Sequence, residues 1–170
     1  GGRALHDAQR LGFKNLDREQ RVGAQLFLRD RQAVEEAACH DVHALAIGKR
    51  ISVLGVGIEA VPAYNTSKEK LQFHPKGRDN GYVIAFGSER VYVAGDTEDI
   101  PEPSALKDID AAFLPVNLPY TMTVVQLAHA IEMVAPRIAY PYHTGDTDQA
   151  KLAAAMGKVE KTEVRIRPMR

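Results

Sequence analysis

Three segments of the sequence place a side chain that can bind metal in a polar loop or directly after an apolar run. They contain His74 in FHPKG, Asp96 in AGDT and His143 in PYHTGD. Side chains at strand ends project into crevices, so residues far apart along the chain can meet there. Two imidazoles and a carboxylate are ligands that zinc, iron and manganese accept. Such residues are more often ordinary turn residues or caps, so their spacing alone indicates only a candidate metal site.

The elements that must position these segments begin with two predicted hairpins. A pattern of β-branched residues over 51–61 predicts a hairpin that turns at Gly55 and Gly57, with Pro62 closing its second strand. A second hairpin is predicted over 82–94. The two glycines also match a dinucleotide-binding turn, but that mechanism requires a helix to begin there. Because β-branched residues resume at once, the hairpin is the favoured interpretation.

Downstream of residue 100 the pattern changes to alternating strands and helices. Apolar runs predict strands and a 3.6-residue period predicts helices, in the order strand 109–116, helix 123–134, strand 137–142, helix 149–156 and strand 163–166. Hairpins followed by this alternation indicate a mixed sheet covered by helices on one face. The other face must then be covered by the N-terminal forty residues or by a second chain.

Composition excludes several classes of protein. The chain has 170 residues, 22 basic against 22 acidic side chains, and Cys39 as its only cysteine. This size suits a single domain, the balanced charge argues against a nucleic-acid partner, and one cysteine excludes an intramolecular disulfide framework. No apolar run approaches the roughly 18 residues of a membrane helix. We therefore expect a cytoplasmic protein that binds no membrane.

An ordered series of segments covers roughly residues 42–148: VPAYN at 61–65, FHPKG at 73–77, GYVI at 81–84, VYVAGDTE at 91–98, DID at 108–110, LPVN at 114–117, PYTMT at 119–123 and YPYH at 140–143. Together these segments resemble the C-terminal two-thirds of a metallo-β-lactamase-fold hydrolase. They are similar to the branch that includes L-ascorbate-6-phosphate lactonase-like metal-dependent hydrolases. The resemblance implies an αββα sandwich with a dinuclear metal site at the edge of its sheets. It also implies attack of water on a lactone, amide, thioester or phosphodiester.

The resemblance assigns metal ligands residue by residue. Asp96 takes the place of the metal-bridging carboxylate, and His143 that of the last histidine ligand. His74 is assigned as the middle histidine, while Asn65 occupies a point where some relatives carry a histidine. A bound metal would lower the pKa of water from 15.7 to about 7. The expected cofactor is a divalent metal, zinc in the first place, with manganese or iron as alternatives.

Three loop residues near these ligands are candidates for orienting a small-molecule substrate or stabilising an oxyanion. They are Lys76, Asn117 and Tyr120. A solvated lysine, a loop cap and a half-buried tyrosine are the competing structural interpretations. An uncovered sheet face would also favour a homo-oligomer, because large exposed apolar patches are rare on monomers.

The family's upstream His-x-His-x-Asp-His motif is missing from this sequence. Residues 1–41 contain only His6-Asp7 and Cys39-His40-Asp41. Each metal position would then retain at most two protein ligands, whereas catalytic zinc sites use three. We therefore expect a mixed α/β domain of metallo-β-lactamase type over 1–170, with its N-terminal half incomplete. Its parts would be a divergent or truncated segment at 1–41 and a family-like segment at 42–170.

Three hypotheses remain open at this point. The protein is a metal-dependent hydrolase whose missing ligands lie outside this sequence, or a non-catalytic relative that binds a ligand or partner through the old cleft. Alternatively, it is a complete one-metal enzyme that recruits His6, Asp7 or His40 into the site. Metal binding and turnover separate the three hypotheses.

Overall fold

A computed structural model describes residues 44–167. These residues contain one seven-stranded mixed sheet in which the strands lie side by side in chain order. The strands are β1 (Arg50–Val53), β2 (Val56–Ala63), β3 (Asp79–Phe86), β4 (Glu89–Val93), β5 (Ala111–Pro115), β6 (Ile138–Tyr142) and β7 (Glu163–Val164). Strands β1 to β4 pair antiparallel, and β4 to β7 pair parallel. The predicted mixed sheet is therefore confirmed.

The first hairpin forms as predicted, but its turn and its end differ from the sequence interpretation. The turn lies at Leu54 and Gly55, both at positive φ, while Gly57 pairs with Ser52 inside the ladder. Strand β2 runs through Pro62, which pairs with Asn80 of β3. Strand β1 pairs with β2 only as far as Glu59. No strand therefore lies beside Pro62 on the side where its backbone lacks an N–H. Proline is tolerated in a sheet at such an edge position.

Two helices cross between the parallel strands. Helix α1 (Val124–Val134) begins with a capping box, in which Thr123 Oγ1 accepts from the Gln126 N–H and the Gln126 Oε1 accepts from the Thr123 N–H. Helix α2 (Gln149–Met156) begins at Asp148, whose carboxylate accepts from two backbone N–H groups, and it ends at Gly157. Both helices match the sequence prediction closely, because the capping residues and the 3.6-residue period of apolar side chains indicate the same helix boundaries.

The hydrophobic core lies between the helices and one face of the sheet. Its fully buried side chains come from the sheet and both helices: Tyr92, Leu114, Leu127, Ile131 and Leu152. A helix needs such a partner because its apolar stripe is stable only when covered. The described residues thus form one sheet and its helical layer. The parallel pairing of β4, β5 and β6 brings their carboxyl ends to one edge of the sheet.

Two shorter 3-10 helices, Lys68–Lys70 and Glu102–Ala105, lie in the connections after β2 and β4. The sequence also predicts a helix over 31–38, capped by Asp30, and a strand over 42–47. The strand prediction is wrong for residues 44–47, which have no strand pairing. The helix, the earlier histidines and the proposed division at residue 41 lie outside the described residues. No helix within 44–167 has the length and apolar character needed to span a membrane.

Candidate metal centre

One edge of the sheet collects the polar side chains that the sequence singled out. Asp96 follows β4, Asn117 follows β5 and His143 follows β6, and these three strands are parallel. Strand β3 runs the opposite way, so its first residue, Asp79, lies at the same edge. The loop between β2 and β3 carries His74. The parallel arrangement therefore brings residues from four connections to one edge of the sheet, and we call the space between these connections the crevice.

Asp96 lies between two imidazoles. Its Oδ1 is 3.0 Å from His143 Nδ1, and its Oδ2 is 3.7 Å from His74 Nε2. The contact between Asp96 and His143 is a hydrogen bond, whereas the distance between Asp96 and His74 is too long for one. The three residues that the sequence analysis selected are thus brought together, although 22 and 47 positions separate Asp96 from the two histidines.

His74 is oriented by Asp79 rather than by Asp96. The Nδ1–H of His74 donates to Asp79 Oδ2 at 2.9 Å, since a carboxylate can only accept. This leaves Nε2 as a lone-pair donor directed towards Asp96. Burial raises the pKa of Asp79, but hydrogen bonds from Arg78 and His74 outweigh it, so the pKa lies below its ordinary value. A histidine held by a carboxylate in this way is the usual arrangement of a metal-binding imidazole.

His143 occupies an unusual backbone position and is the most accessible of the three. Its φ is +52°, and its side chain is 42% exposed. Non-glycine residues at positive φ are concentrated at functional positions and turns. Next to it, burial and the charge of Asp96 raise the pKa of Tyr142 to about 12, so this phenol stays protonated beside the crevice.

The donor set fits a divalent metal in its chemistry but not yet as a complete cage. Within residues 44–167, no three His, Cys, Asp or Glu side chains are arranged to hold a metal ion as they stand. At Asp96, the His143 Nδ1 is hydrogen-bonded to the carboxylate. Two imidazoles and one carboxylate, one imidazole already oriented by a second carboxylate, remain suitable zinc, iron or manganese donors.

Asn117 lies against the loop that follows His143. A Cβ added to Gly145 would collide with the Asn117 side chain, with its Cγ only 2.8 Å away, and Gly145 has φ +46°. The loop after β5 is further tied to the same segment because Thr147 Oγ1 donates to the Val116 carbonyl at 2.7 Å. Asn117 is therefore placed beside the crevice, as its suggested role requires, and that role stays a prediction.

Tyr120 and Lys76 are placed differently from each other. The Tyr120 ring meets the Phe73 ring edge-to-face with centroids 5.0 Å apart, directly beside His74 in sequence. The Lys76 ammonium donates to the Tyr64 hydroxyl at 3.0 Å and to Glu102 at 3.1 Å. Tyr120 therefore lies beside the segment that carries His74, whereas the Lys76 ammonium is hydrogen-bonded to Tyr64 and Glu102. Their suggested roles in substrate binding stay predictions.

A buried ion pair holds the loops that carry the site. Glu98, two residues after Asp96, accepts from the Lys70 ammonium at 2.7 Å and from the backbone N–H groups of Thr66 and Ser67 at 2.7 Å. Lys70 also donates to the Thr121 carbonyl at 2.8 Å. Burial raises the pKa of Glu98, but these donors outweigh it and hold the pKa far below its ordinary value. We call Glu98, Lys70 and their partners the buried lock.

Asn65 links the same loops through its side-chain amide. Its Nδ2 donates to the Tyr120 carbonyl at 2.7 Å and to the Lys70 carbonyl at 3.1 Å, and its backbone N–H donates to the His74 carbonyl at 2.7 Å. Among residues 44–167, its Oδ1 is the only buried side-chain oxygen or nitrogen without a hydrogen-bond partner. Asn65 therefore connects loops here, at the position where the resemblance suggests a histidine in some relatives.

Sequence reasoning missed Asp79, Gly145 and the buried lock. Asp79 carries a weak signal, a carboxylate five residues after His74 at the start of a strand. Gly145 and Glu98 carry none that spacing could reveal, because their partners lie 28 positions away in each case.

Comparisons with known proteins show the family to which the chain belongs. Residues 16–144 match the model of a family described as the beta-lactamase superfamily domain. A curated relative from Methanopyrus kandleri, named as a metal-dependent hydrolase, is 34% identical over 110 residues, which is 62% of this chain and 48% of that protein. Another from Deinococcus radiodurans with the same description is 38% identical over 69 residues, or 39% of this chain and 30% of that protein. The chain therefore spans less than half the length of these relatives.

Solved structures show the same architecture. A protein of Parabacteroides distasonis named as a metal-dependent hydrolase aligns with a TM-score of 0.72 and 49% identity, over 82% of this chain and 62% of that one. Igni18, named as a metallo hydrolase of Ignicoccus hospitalis, aligns with a TM-score of 0.60 and 23% identity, over 81% of this chain and 62% of that one. The second match supports the fold alone. The fold expected from the sequence is thereby confirmed.

Proposed function

The chain belongs to the beta-lactamase superfamily, and from this we propose that it forms part of a metal-dependent hydrolase whose centre lies at Asp96. The observation that carries the proposal is the position of Asp96 between His74 and His143, at distances of 3.7 and 3.0 Å. The names of the relatives from Methanopyrus and Parabacteroides support the same class of activity.

The proposed metal ligands are His74, Asp96 and His143, and zinc is the proposed ion. When bound, a divalent metal supplies a Lewis acid and an acidified water molecule. The protein side of the proposal concerns orientation. Asp79 fixes the tautomer of His74, and His143 is accessible enough to exchange its hydrogen bond for a metal. The Asp96 carboxylate would balance the charge of the ion.

The proposed substrate is a small molecule with a lactone, ester or phosphodiester bond. Asn117 is the proposed contact for the oxygen on which negative charge develops, because its side chain lies beside the loop of His143. Burial and the charge of Asp96 raise the pKa of the Tyr142 phenol to about 12, so the phenol remains protonated at neutral pH. It is available as a further donor at this edge.

Metal binding and hydrolysis measured on the same sample test the proposal. The full chain, freed of metal and then supplied with zinc, should bind zinc and hydrolyse at least one member of a panel of lactones, carboxylic esters and phosphodiesters. Asp96→Asn and His143→Ala should each lower both zinc affinity and kcat/KM. Asp146→Asn, a carboxylate in the same loop as His143 but outside the proposed ligand set, serves as the control.

The outcomes separate the hypotheses. Zinc binding without turnover across the panel would favour a non-catalytic relative that binds a ligand through this crevice. Turnover that survives both Asp96→Asn and His143→Ala would contradict the proposed centre.

A further inference from the structure

The loops at the edge of the candidate metal centre carry three large apolar side chains, Phe73, Leu118 and Tyr120, which we call the wall. Leu118 is 56% exposed and Tyr120 is 43% exposed, although both are large and mostly apolar. A single exposed hydrophobic residue is ordinary on a protein surface. Leu118 and Tyr120 lie on one turn after β5, at the sheet edge that also carries Asp96 and His143, and the Tyr120 ring packs against Phe73, the neighbour of His74.

The turn that carries this wall is rigidly held. The Asn117 carbonyl accepts from the N–H groups of Tyr120 and Thr121 at 3.0 and 2.8 Å. The buried Asn65 side chain donates to the Tyr120 carbonyl at 2.7 Å, and the buried Lys70 ammonium donates to the Thr121 carbonyl at 2.8 Å. Exposed apolar side chains on a backbone fixed by buried partners are preorganised, and preorganisation reduces the entropy cost of binding.

Two cations of the loop that carries His74 are already paired. Arg78 pairs with Asp79 at 2.7 Å, and Lys76 pairs with Glu102 at 3.1 Å. These are the two basic side chains that follow His74 in its loop. A phosphate group is normally recognised by free Arg or Lys side chains. The charges beside the wall therefore favour an uncharged substrate over a phosphodiester.

From the wall and the paired cations, and on the basis of the proposed hydrolase function, we propose that the site takes uncharged esters or lactones with an apolar chain that packs on Leu118 and Tyr120. Ligand sites of this kind combine an apolar surface with a few oriented polar groups. The wall then selects the chain, while the metal centre acts on the ester bond.

Three uncharged esters test the inference with the zinc-loaded full chain: methyl acetate, methyl hexanoate and pentyl acetate, followed by acid release. The second and third are isomers, with a butyl extension on the acyl or the alcohol side. A butyl segment that removes roughly 55 Å² of apolar surface from water gains about tenfold in binding. We expect kcat/KM for at least one of them to exceed that for methyl acetate by about tenfold.

Variants locate the preference. Leu118→Ala and Tyr120→Ala should each reduce the preference for the longer ester to about threefold or less. Leu54→Ala and Phe86→Ala are the matched controls, because these side chains are 100% and 53% exposed and lie at the turns of the two hairpins. The controls should keep the preference of the unmodified chain.

The results distinguish this inference from the hydrolase proposal. Ester turnover without a chain-length preference, a preference that both wall variants retain, or faster turnover of methyl phenyl phosphate would overturn the inference and leave the hydrolase proposal standing. If no ester is hydrolysed, binding still decides. Saturation-transfer NMR should then show methyl hexanoate or pentyl acetate binding more tightly than methyl acetate, and Leu118→Ala should abolish the difference. Equal binding of all three esters would overturn the inference.

Discussion

At the scale of single residues, the site depends on side chains whose own partners fix their direction. Asp79 holds the Nδ1 side of His74, so the Nε2 atom faces Asp96. Asn117 depends in the same way on the absence of a side chain at Gly145. Asp79 and Gly145 touch no reacting atom in the proposal, yet they decide whether His74 and Asn117 are in place.

Replacing Asp79 by Asn should weaken zinc binding by about 10- to 100-fold, the usual cost of losing an outer-shell carboxylate. The amide can present its NH₂ group to His74 and favour the wrong tautomer. Competition with a chromophoric chelator measures the affinity. Asp99→Asn is a close control, because Asp99 accepts from His129 Nδ1 at 2.8 Å in an equivalent pair outside the proposed ligand set. Equal losses in both variants would contradict the role given to Asp79.

Gly145→Ala should displace the Asn117 side chain and lower kcat/KM, with a loss of stability of at least about 1 kcal/mol from the positive φ. Gly87→Ala isolates the backbone part of that loss, since Gly87 has φ +62° and open space where the Cβ would lie. Thermal unfolding and steady-state kinetics of the two variants make the comparison. Full activity in Gly145→Ala would show that the position of Asn117 is unimportant.

At the scale of elements, the buried lock joins three segments that the sheet alone does not connect. Glu98 follows β4, Thr66 to Lys70 follow β2, and Thr121 lies between β5 and α1, with Gln126 of α1 donating to Glu98 at 3.1 Å. Breaking a buried pair leaves an uncompensated charge, which is far costlier than losing an exposed pair.

Glu98→Gln should therefore lower the free energy of unfolding by about 3 kcal/mol or more. Glu59→Gln removes the partner of Arg50 in an exposed pair at 2.9 Å and should cost at most about 1 kcal/mol. Urea unfolding of both variants measures the difference. Similar costs for the two substitutions would mean that the lock contributes no more than a surface ion pair.

The lock also gives stability a defined dependence on pH. The pKa of Glu98 is lower in the folded chain than its ordinary value of 4.5, so the unfolded chain takes up the proton first as the pH falls. The stability that Glu98 contributes is fully present above that ordinary value and is lost progressively below it. Urea unfolding from neutral pH down to about pH 3 should show a steeper fall for the unmodified chain than for Glu98→Gln. Parallel curves would contradict this assignment.

The elements themselves were largely predictable from sequence, because local signals agree with the final packing. The caps at Thr123 and Asp148 and the stop at Gly157 set both helices. Pro62 was misread because its tolerance depends on where the neighbouring strand ends, which local sequence does not show. The convergence of His74, Asp96 and His143 was indicated by their positions in a loop and after strands together with the family resemblance. The buried lock and the contact at Gly145 depend on tertiary partners that neither of these indicates.

At the scale of the whole molecule, residues 44–167 form a sheet with a helical layer, and one edge of this sheet carries the candidate site. Residues 44–167 supply three proposed ligands, namely Asp96 and the two histidines that flank it, His74 and His143. The chain covers 48% of its Methanopyrus relative, and the family's upstream histidine motif is missing from its sequence. Three ligands are the number that catalytic zinc sites use, so this layer can hold one ion if all three face it.

Zinc titration of the metal-free full chain, in competition with a chelator of known affinity, tests the central claim most directly. We expect about one equivalent of zinc in the unmodified chain, and an affinity at least about 100-fold weaker in His143→Ala, because one of three ligands is lost. His129→Ala, on the surface of α1, should leave the affinity unchanged. Equal zinc affinity in the unmodified chain and His143→Ala would contradict a metal centre at Asp96.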